Sequence, residues 1–216
     1  MHIPASPTRR TLELFLSLLL LVGALHFGLN VFSTIRFDRE RIEIWAFDGQ
    51  IQVTGFYHYV NRSFFPSSFS FGVPFPVDPQ HSWPAAVRLS EVDSSGAFLR
   101  EIESHRFHGE TVFRLWFWPS RERWIRLDYT QGTSVPRARY ILLTTRKWGQ
   151  PLDRGEYILH LGERLRLDSS NYLLTSISTR NPESYFFSRS DFLPSKDWEF
   201  RWRVNTLQSV SEKGTP

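Results

Sequence analysis

The sequence predicts a mainly β protein: one N-terminal transmembrane helix, then an antiparallel β-sandwich built as two packed sheet halves. Three observations lead there. Residues Leu14–Ile35 hold no Asp, Glu, Lys or Arg. Beyond them, apolar residues recur with a period of two. Turn-forming residues break these runs at short intervals.

The apolar run reads LFLSLLLLVGALHFGLNVFSTI. As a helix it extends roughly 33 Å, enough to cross a bilayer core. Arg9 and Arg10 precede it and the first eight residues carry no acid, the layout of a signal peptide or signal anchor. Glu13 falls in the first turn, where the helix dipole favours a carboxylate. Val22-Gly23-Ala24 offers small residues for cleavage. The run continues through Leu25, Phe27, Leu29, Val31 and Phe32, however, and exceeds the about 7–15 residues of a signal h-region. An uncleaved anchor over 11–35 is therefore expected, after a short tail at 1–10. Gly23 and Gly28 permit close helix approach, and His26 and Asn30 can hydrogen-bond across helices, so these four are candidate contacts to a partner helix. Arg36, Arg39 and Arg41 follow the span. Counting basic residues alone favours the opposite orientation, but a long domain translocates largely regardless of flanking charge. The expectation is a cytoplasmic N-terminus and a periplasmic or extracellular C-terminal domain.

The remainder is rich in aromatics: the chain holds 19 Phe and 8 Trp, which is not the composition of a disordered tail. The formal charge is +4 and the arginines are scattered among acids, with no basic stripe of the kind that binds nucleic acid. Attraction to anionic lipid headgroups is the functional alternative to a merely solvated surface, since the first basic residues lie beside the span. The absence of cysteine excludes disulfides, thiol nucleophiles and cysteine metal sites together. The sequon Asn61-Arg62-Ser63 matters only in a eukaryotic secretory host.

The strands read as follows. Ile51, Val53, Gly55, Tyr57 and Tyr59 alternate with Gln52, Thr54, Phe56 and His58. Phe69, Phe71, Val73 and Phe75 form a second set. Phe113, Leu115 and Phe117 alternate with Arg114 and Trp116. Ile125, Leu127 and Tyr129 alternate with Trp124, Arg126 and Asp128. Trp198, Phe200, Trp202 and Val204 alternate with Glu199, Arg201 and Arg203. Asp48-Gly49 reads as a hairpin turn, and Ser94-Ser95-Gly96, His108-Gly109, Pro119-Ser120 and Gln131-Gly132 mark others. Trp148-Gly149-Gln150-Pro151 suggests a soft boundary. The expected organisation is a β-sandwich over 36–148, a second β half over 149–207 packed on it, and a flexible tail at 208–216.

A strand ending in Tyr59-Val60-Asn61 precedes one leading into Phe75-Pro76. An aromatic strand, Thr111–Trp118, precedes Trp124-Ile125-Arg126-Leu127-Asp128-Tyr129. Phe192-Leu193-Pro194 stands before Asp197–Trp202. This order resembles the β-sandwich of vault/inter-alpha-trypsin-type domains and of uncharacterised bacterial exported domains. The resemblance spans Ile42–Val204 on short motifs. It implies a fold and an adhesive or assembly role, and supplies no catalytic residues.

Chemical candidates are few. His105 and His108, flanked by Glu103 and Glu110, form a histidine patch. Histidines three apart share a metal on a helix, but on a strand they point to opposite faces, and Gly109 makes a hairpin tip the natural setting. No metal is expected there. His81-Ser82 near Asp78 lacks the G-x-S-x-G elbow of a serine hydrolase, and His58 and His160 fall on strands. Carboxylate pairs such as Glu91/Asp93 and Glu122/Asp128 carry no mark of an acid–base couple. No phosphate-binding glycine loop, dinucleotide fingerprint or zinc-protease motif occurs, so no cofactor is expected. Trp116, Trp118 and Trp124 share their alternation phase with Arg114 and Arg126. Trp and Arg dominate binding hot spots, so these five form the candidate partner-binding face. The expected function is a non-enzymatic, membrane-anchored accessory or docking subunit, with the lipid bilayer and another membrane protein as partners. A carbohydrate-binding module or an envelope hydrolase is the alternative.

Overall fold

A computed structural model of the chain describes residues 34–179 and 182–204. The run 14–33, with Gly23, His26, Gly28 and Asn30, and the tail beyond 204 lie outside the described residues. The described residues from Ile35 to Val204 belong to one compact unit, and Ile35 itself opens the first strand.

β1 (Ile35–Phe47) and β2 (Gln50–Asn61) form a long hairpin closed by Asp48-Gly49, with Gly49 at φ 75°. β3 (Ser67–Pro74), β4 (Ala85–Val92), β5 (Phe98–Glu101), β6 (Ser104–Phe107) and β7 (Glu110–Phe117) follow. Then come β8 (Glu122–Gly132), β9 (Arg137–Tyr140) and a 3-10 helix, Leu143–Trp148. β10 (Leu152–Leu161), β11 (Leu165–Ser170), β12 (Thr175–Ser178), β13 (Glu183–Phe192) and β14 (Trp198–Val204) complete the fold.

These strands make an eight-stranded sheet in the order β12-β13-β10-β1-β2-β8-β4-β5 and two three-stranded sheets, β11-β14-β9 and β3-β7-β6. The mainly β expectation holds. Two finer expectations change. The strands after residue 149 do not form a separate half, because β10, β13 and β12 extend the same sheet as β1 and β2. Nor is the large sheet wholly antiparallel: β10 runs parallel to β1, with Ile42 opposite Tyr157 and Ile44 opposite Leu159. Parallel partners need a long crossover, and here β2 to β9 fill the interval.

One face of the large sheet is apolar. Phe187, Tyr157, Ile42, Gly55, Leu127 and Leu89 form a continuous cross-strand row on it. Both small sheets pack onto this face. Phe71 of β3 meets Tyr59 edge-on at 4.7 Å between ring centroids, and Trp198 of β14 meets Phe187 at 5.1 Å. All three sheets feed a single buried cluster. Each fully buried Leu, Ile or Phe side chain contributes roughly 1.5–3 kcal/mol, so this face holds the layers together.

One charge lies within that core. Glu40 is 4% exposed and sits on β1 opposite Tyr57 of β2 and Gly155 of β10. Tyr140 of β9 donates to Oε1 at 3.0 Å, and Tyr157 donates to Oε2 at 3.1 Å. Tyr140 has a single proton and gives it to Glu40, so Tyr57, 2.8 Å away, donates to Tyr140. The rings of Tyr57 and Tyr157 fold back over Gly55 and Gly155; a Cβ on Gly155 would stand 2.8 Å from the Tyr157 hydroxyl. Burial raises the Glu40 carboxyl from 4.5 to about 7, against the lowering effect of the Tyr140 and Tyr157 bonds.

The native value exceeds the unfolded one, so the folded state holds the proton more tightly. Stability from this group is full below about pH 4.5 and falls as pH rises through about 7. Thermal unfolding of the chain is expected to occur at a higher temperature near pH 5 than near pH 8. Glu40→Gln should abolish this part of the difference while leaving the Tyr140 bond available; an unchanged pH difference in the variant would assign it to other groups.

Candidate functional site

The opposite face of the large sheet is polar, because the same period of two that sends Val53, Gly55 and Tyr57 inward sends Thr54, Phe56 and His58 outward. Pairing aligns the outward residues in rows across β10, β1, β2, β8 and β4. The first row is Arg154, Arg39, His58, Trp124 and Val92. The second is Glu156, Arg41, Phe56, Arg126 and Ser90. The third is Ile158, Glu43, Thr54, Asp128 and Arg88.

A pocket of about 360 Å³ lies over the first two rows. Phe56 and Trp124 line it from the sheet, and Arg39, Arg41, Arg154 and Glu156 supply its charge. The β4–β5 turn, Asp93 to Gly96, forms the facing wall. Asp93 holds that turn: its Oδ1 accepts from the N–H groups of Ser95 and Ala97 and from the Ser95 hydroxyl at 2.6–2.9 Å. The Ser95 hydroxyl, with the backbone donors, keeps the Asp93 carboxyl below the usual range. Gly96, at φ 89°, brings the turn against the Phe56 ring.

The charge arrangement is unusual. Arg39 stands directly opposite Arg154, with Arg41 two residues further on the same face. Like charges directly opposite on paired strands are destabilising. Arg154 is relieved by Glu156 at 2.6 Å, and Arg41 only weakly by Glu43 at 3.9 Å. Arg39 has no acidic partner among the described residues. An anion in the pocket would meet three guanidinium groups and a ring-lined floor, against the carboxylates of Glu156 and Asp93 in the same lining.

Two histidine clusters lie on the same large sheet. His58, 4% exposed, stacks on Trp124 at 4.3 Å and bonds Asp38 at 2.5 Å through Nδ1 and Glu122 at 3.1 Å through Nε2. Asp38 gains this position through the β-bulge between Phe37 and Arg39. His160 stacks on Trp45 at 4.1 Å and bonds Ser184 at 2.8 Å and Glu43 at 3.1 Å. Ser184, His160 and Glu43 have the residue types of a hydrolytic triad, but the serine is 6% exposed and closed off from a substrate carbonyl. Both clusters brace the sheet face. Among the described residues, no group of three or more His, Cys, Asp or Glu side chains is placed to hold a metal ion.

The five-residue face expected from sequence divides. Arg114 and Trp116 lie on the outer side of the β3-β7-β6 sheet, with Trp118 exposed just beyond the end of β7, whereas Trp124 and Arg126 lie on the outer side of the large sheet. Phe113, Leu115 and Phe117 enter the core from one layer and Ile125 and Leu127 from the other, so their alternates face in opposite directions. Trp124 lines the pocket; Arg126 pairs with Asp128 at 2.8 Å and lies over Phe56. His105 lies on β6 and His108 at the β6–β7 turn, at φ 47°. Asn61 is fully buried, its amide donating to the carbonyls of Phe65 and Trp118 at 2.9 and 3.1 Å, so the sequon asparagine is inaccessible to glycosylation in the fold. Glu91 is taken by Arg100 and Arg123, and Glu122 by His58. Sequence reading missed Arg39, Arg41, Phe56 and Arg154 as a group. The alternation Arg39-Glu40-Arg41 was a visible signal for two of them; Arg154 joins only through the parallel pairing.

No protein-family model and no curated protein sequence matches the chain. Solved structures do. The crystal structure of a candidate nutrient binding protein from Legionella pneumophila aligns with a TM-score of 0.65 at 14% identity, covering 78% of this chain and 67% of that one. An M1 zinc metallopeptidase from Deinococcus radiodurans aligns with a TM-score of 0.45 at 10% identity, and this chain spans 42% of its length. The first likeness is one of fold. Neither protein is described as a vault or inter-alpha-trypsin-type domain.

Removing the unpartnered arginine relieves the repulsion. Arg39→Gln is expected to stabilise the fold by about 0.3–1 kcal/mol at low ionic strength, with the gain shrinking as salt is added. Thermal unfolding at two salt concentrations measures this; a destabilised variant would mean that Arg39 is compensated within the fold.

Proposed function

We propose that this chain is a single-pass, membrane-anchored, non-enzymatic docking subunit that holds an acidic segment of a membrane companion in the Arg39/Arg41/Arg154 pocket. The domain lies on the outer face of the membrane, with the N-terminus on the cytoplasmic side. The observation that carries the reading is the cross-strand opposition of Arg39 and Arg154 above Phe56 and Trp124. A fold that keeps like charges together has a use for the field they make, and Arg and Trp are the residues that concentrate binding energy at interfaces. The apolar composition supports anchoring: as a helix, residues 14–33 would extend about 30 Å. The pocket supports a membrane companion, because Arg39 is only four residues beyond Ile35.

A second reading is a small anionic solute as the occupant. A pocket of about 360 Å³ suits one, and the fold is shared with the candidate nutrient binding protein.

Affinity purification of the full chain from gently solubilised native membranes tests both. The docking reading expects a stoichiometric companion that is released by salt and lost, at least tenfold, in Arg39→Glu/Arg41→Glu. Retention of the companion by that variant would sink it. A chain that recovers no companion but quenches Trp fluorescence with a small anion, in an arginine-dependent way, would favour the solute.

A further inference from the structure

Four large aromatic side chains stand in solvent at one end of the sandwich. Phe64 is 89% exposed, Trp118 62%, Trp116 51% and Phe65 45%. Phe64 and Phe65 belong to the β2–β3 connection, Trp116 to the end of β7 and Trp118 to the β7–β8 connection, yet one buried residue ties the two connections together. The Asn61 side-chain amide donates to the Phe65 carbonyl and to the Trp118 carbonyl, and the Asn61 backbone N–H donates to the Arg121 carbonyl at 2.9 Å. Trp116 and Trp118 meet edge-on at 6.4 Å. Asn61 pairs with Ile35. The aromatic cluster is thus at the point where the chain enters the fold, and the last residue of the apolar run is the first residue of β1. No linker separates them.

We infer that this end of the sandwich is a lipid-contact surface: Phe64, Phe65, Trp116 and Trp118 enter the headgroup region of the bilayer that the apolar run crosses. The inference rests on the anchored reading above and gives the anchored domain a defined seat. An anchor ending at Thr34 would run directly into Ile35, and each residue by which it ended earlier would add at most about 3.5 Å. Aromatic side chains concentrate at membrane–water interfaces, where an amphipathic ring has both its surroundings. The surrounding charge matches anionic headgroups. Arg62 and Arg121 are exposed beside the aromatics, and Arg146 and Lys147 are exposed on the 3-10 helix whose Trp148 packs on Phe37 and Tyr59. The nearby acids are engaged, Glu122 with His58 and Asp153 with Arg36. Exposed aromatic rings are unfavourable in water and the exposed cations beside them complement anionic headgroups, so an anionic lipid surface accommodates both together.

The absence of cysteine makes the test direct. Ser120→Cys lies in the turn after Trp118. Asp48→Cys lies at the far end of β1, about 40 Å away for a strand of this length. Each full-length variant is labelled with an environment-sensitive fluorophore and reconstituted into phosphatidylcholine/phosphatidylglycerol vesicles containing brominated acyl chains. The label at Ser120 should be quenched several-fold more than the label at Asp48. Phe64→Ser with Trp118→Ser should reduce that quenching by at least half without releasing the chain from the vesicles, and replacing phosphatidylglycerol by phosphatidylcholine should weaken it. Equal quenching at both positions in a chain that resists alkaline carbonate extraction overturns the lipid-contact surface and leaves the anchor standing. Extraction by carbonate overturns the anchor and, with it, this surface. Quenching indifferent to headgroup charge removes the cationic rim from the inference.

Discussion

The fold depends on how a single carboxyl group is accommodated between two layers. Glu40 belongs to β1, the strand at the centre of the large sheet, and its bonds come from β10 and from β9 of a small sheet. The site is tightly specified. Gly55 and Gly155 provide the space over which Tyr57 and Tyr157 fold; the Tyr140 and Tyr157 hydroxyls then take one carboxyl oxygen each, and Tyr57 backs Tyr140. A partly satisfied buried polar group is destabilising, so the register of β1 with β2 and β10 and the seat of β9 are coupled. Slipping any of these strands by one residue would leave Glu40 buried without its donors, or turn it out and bring an arginine in.

That coupling determines the outer face as well. Once Glu40 points inward, Arg39 and Arg41 must point outward, and the parallel partner brings Arg154 directly beside Arg39. The core and the charged pocket are two sides of one pairing. The inner side is held by apolar burial and the outer side carries electrostatic repulsion, which the core can sustain because the net loss is small beside the burial of residues such as Ile42, Tyr157 and Leu127. The histidine clusters have the complementary role. His58 and His160, each stacked on a tryptophan and bonded to a carboxylate, stiffen the sheet face.

The anchored-domain proposal and the lipid-contact surface give the chain a consistent polarity. The Ile35 and Asn61 end carries the exposed rings, the Arg39/Arg154 pocket lies a few residues along β1 from it, and the Asp48-Gly49 turn marks the other end. In that proposal the pocket stands near the membrane, which suits a companion that is itself in the membrane. Asn61 is the structural hinge of this arrangement, since its buried amide holds both aromatic connections in place.

Most of the strands were legible in the sequence, because alternation records which side of a strand faces a core: Val53, Gly55 and Tyr57, and Ile125, Leu127 and Tyr129, all proved inward-facing. The Asp48-Gly49 and His108-Gly109 turns were legible for the same local reason, that glycine takes a positive φ readily. Alternation does not say which layer a strand joins. Trp116 and Trp124 share a phase in the sequence and lie on opposite sides of the molecule, because β7 and β8 face the same core from different sheets. The parallel pairing of β1 with β10, the buried knot around Glu40 and the meeting of Arg39 with Arg154 depend on contacts between residues 83 to 117 positions apart. A local pattern determines the inside and outside of each strand; only long-range pairing decides which strands are neighbours, and the candidate site is made by that choice.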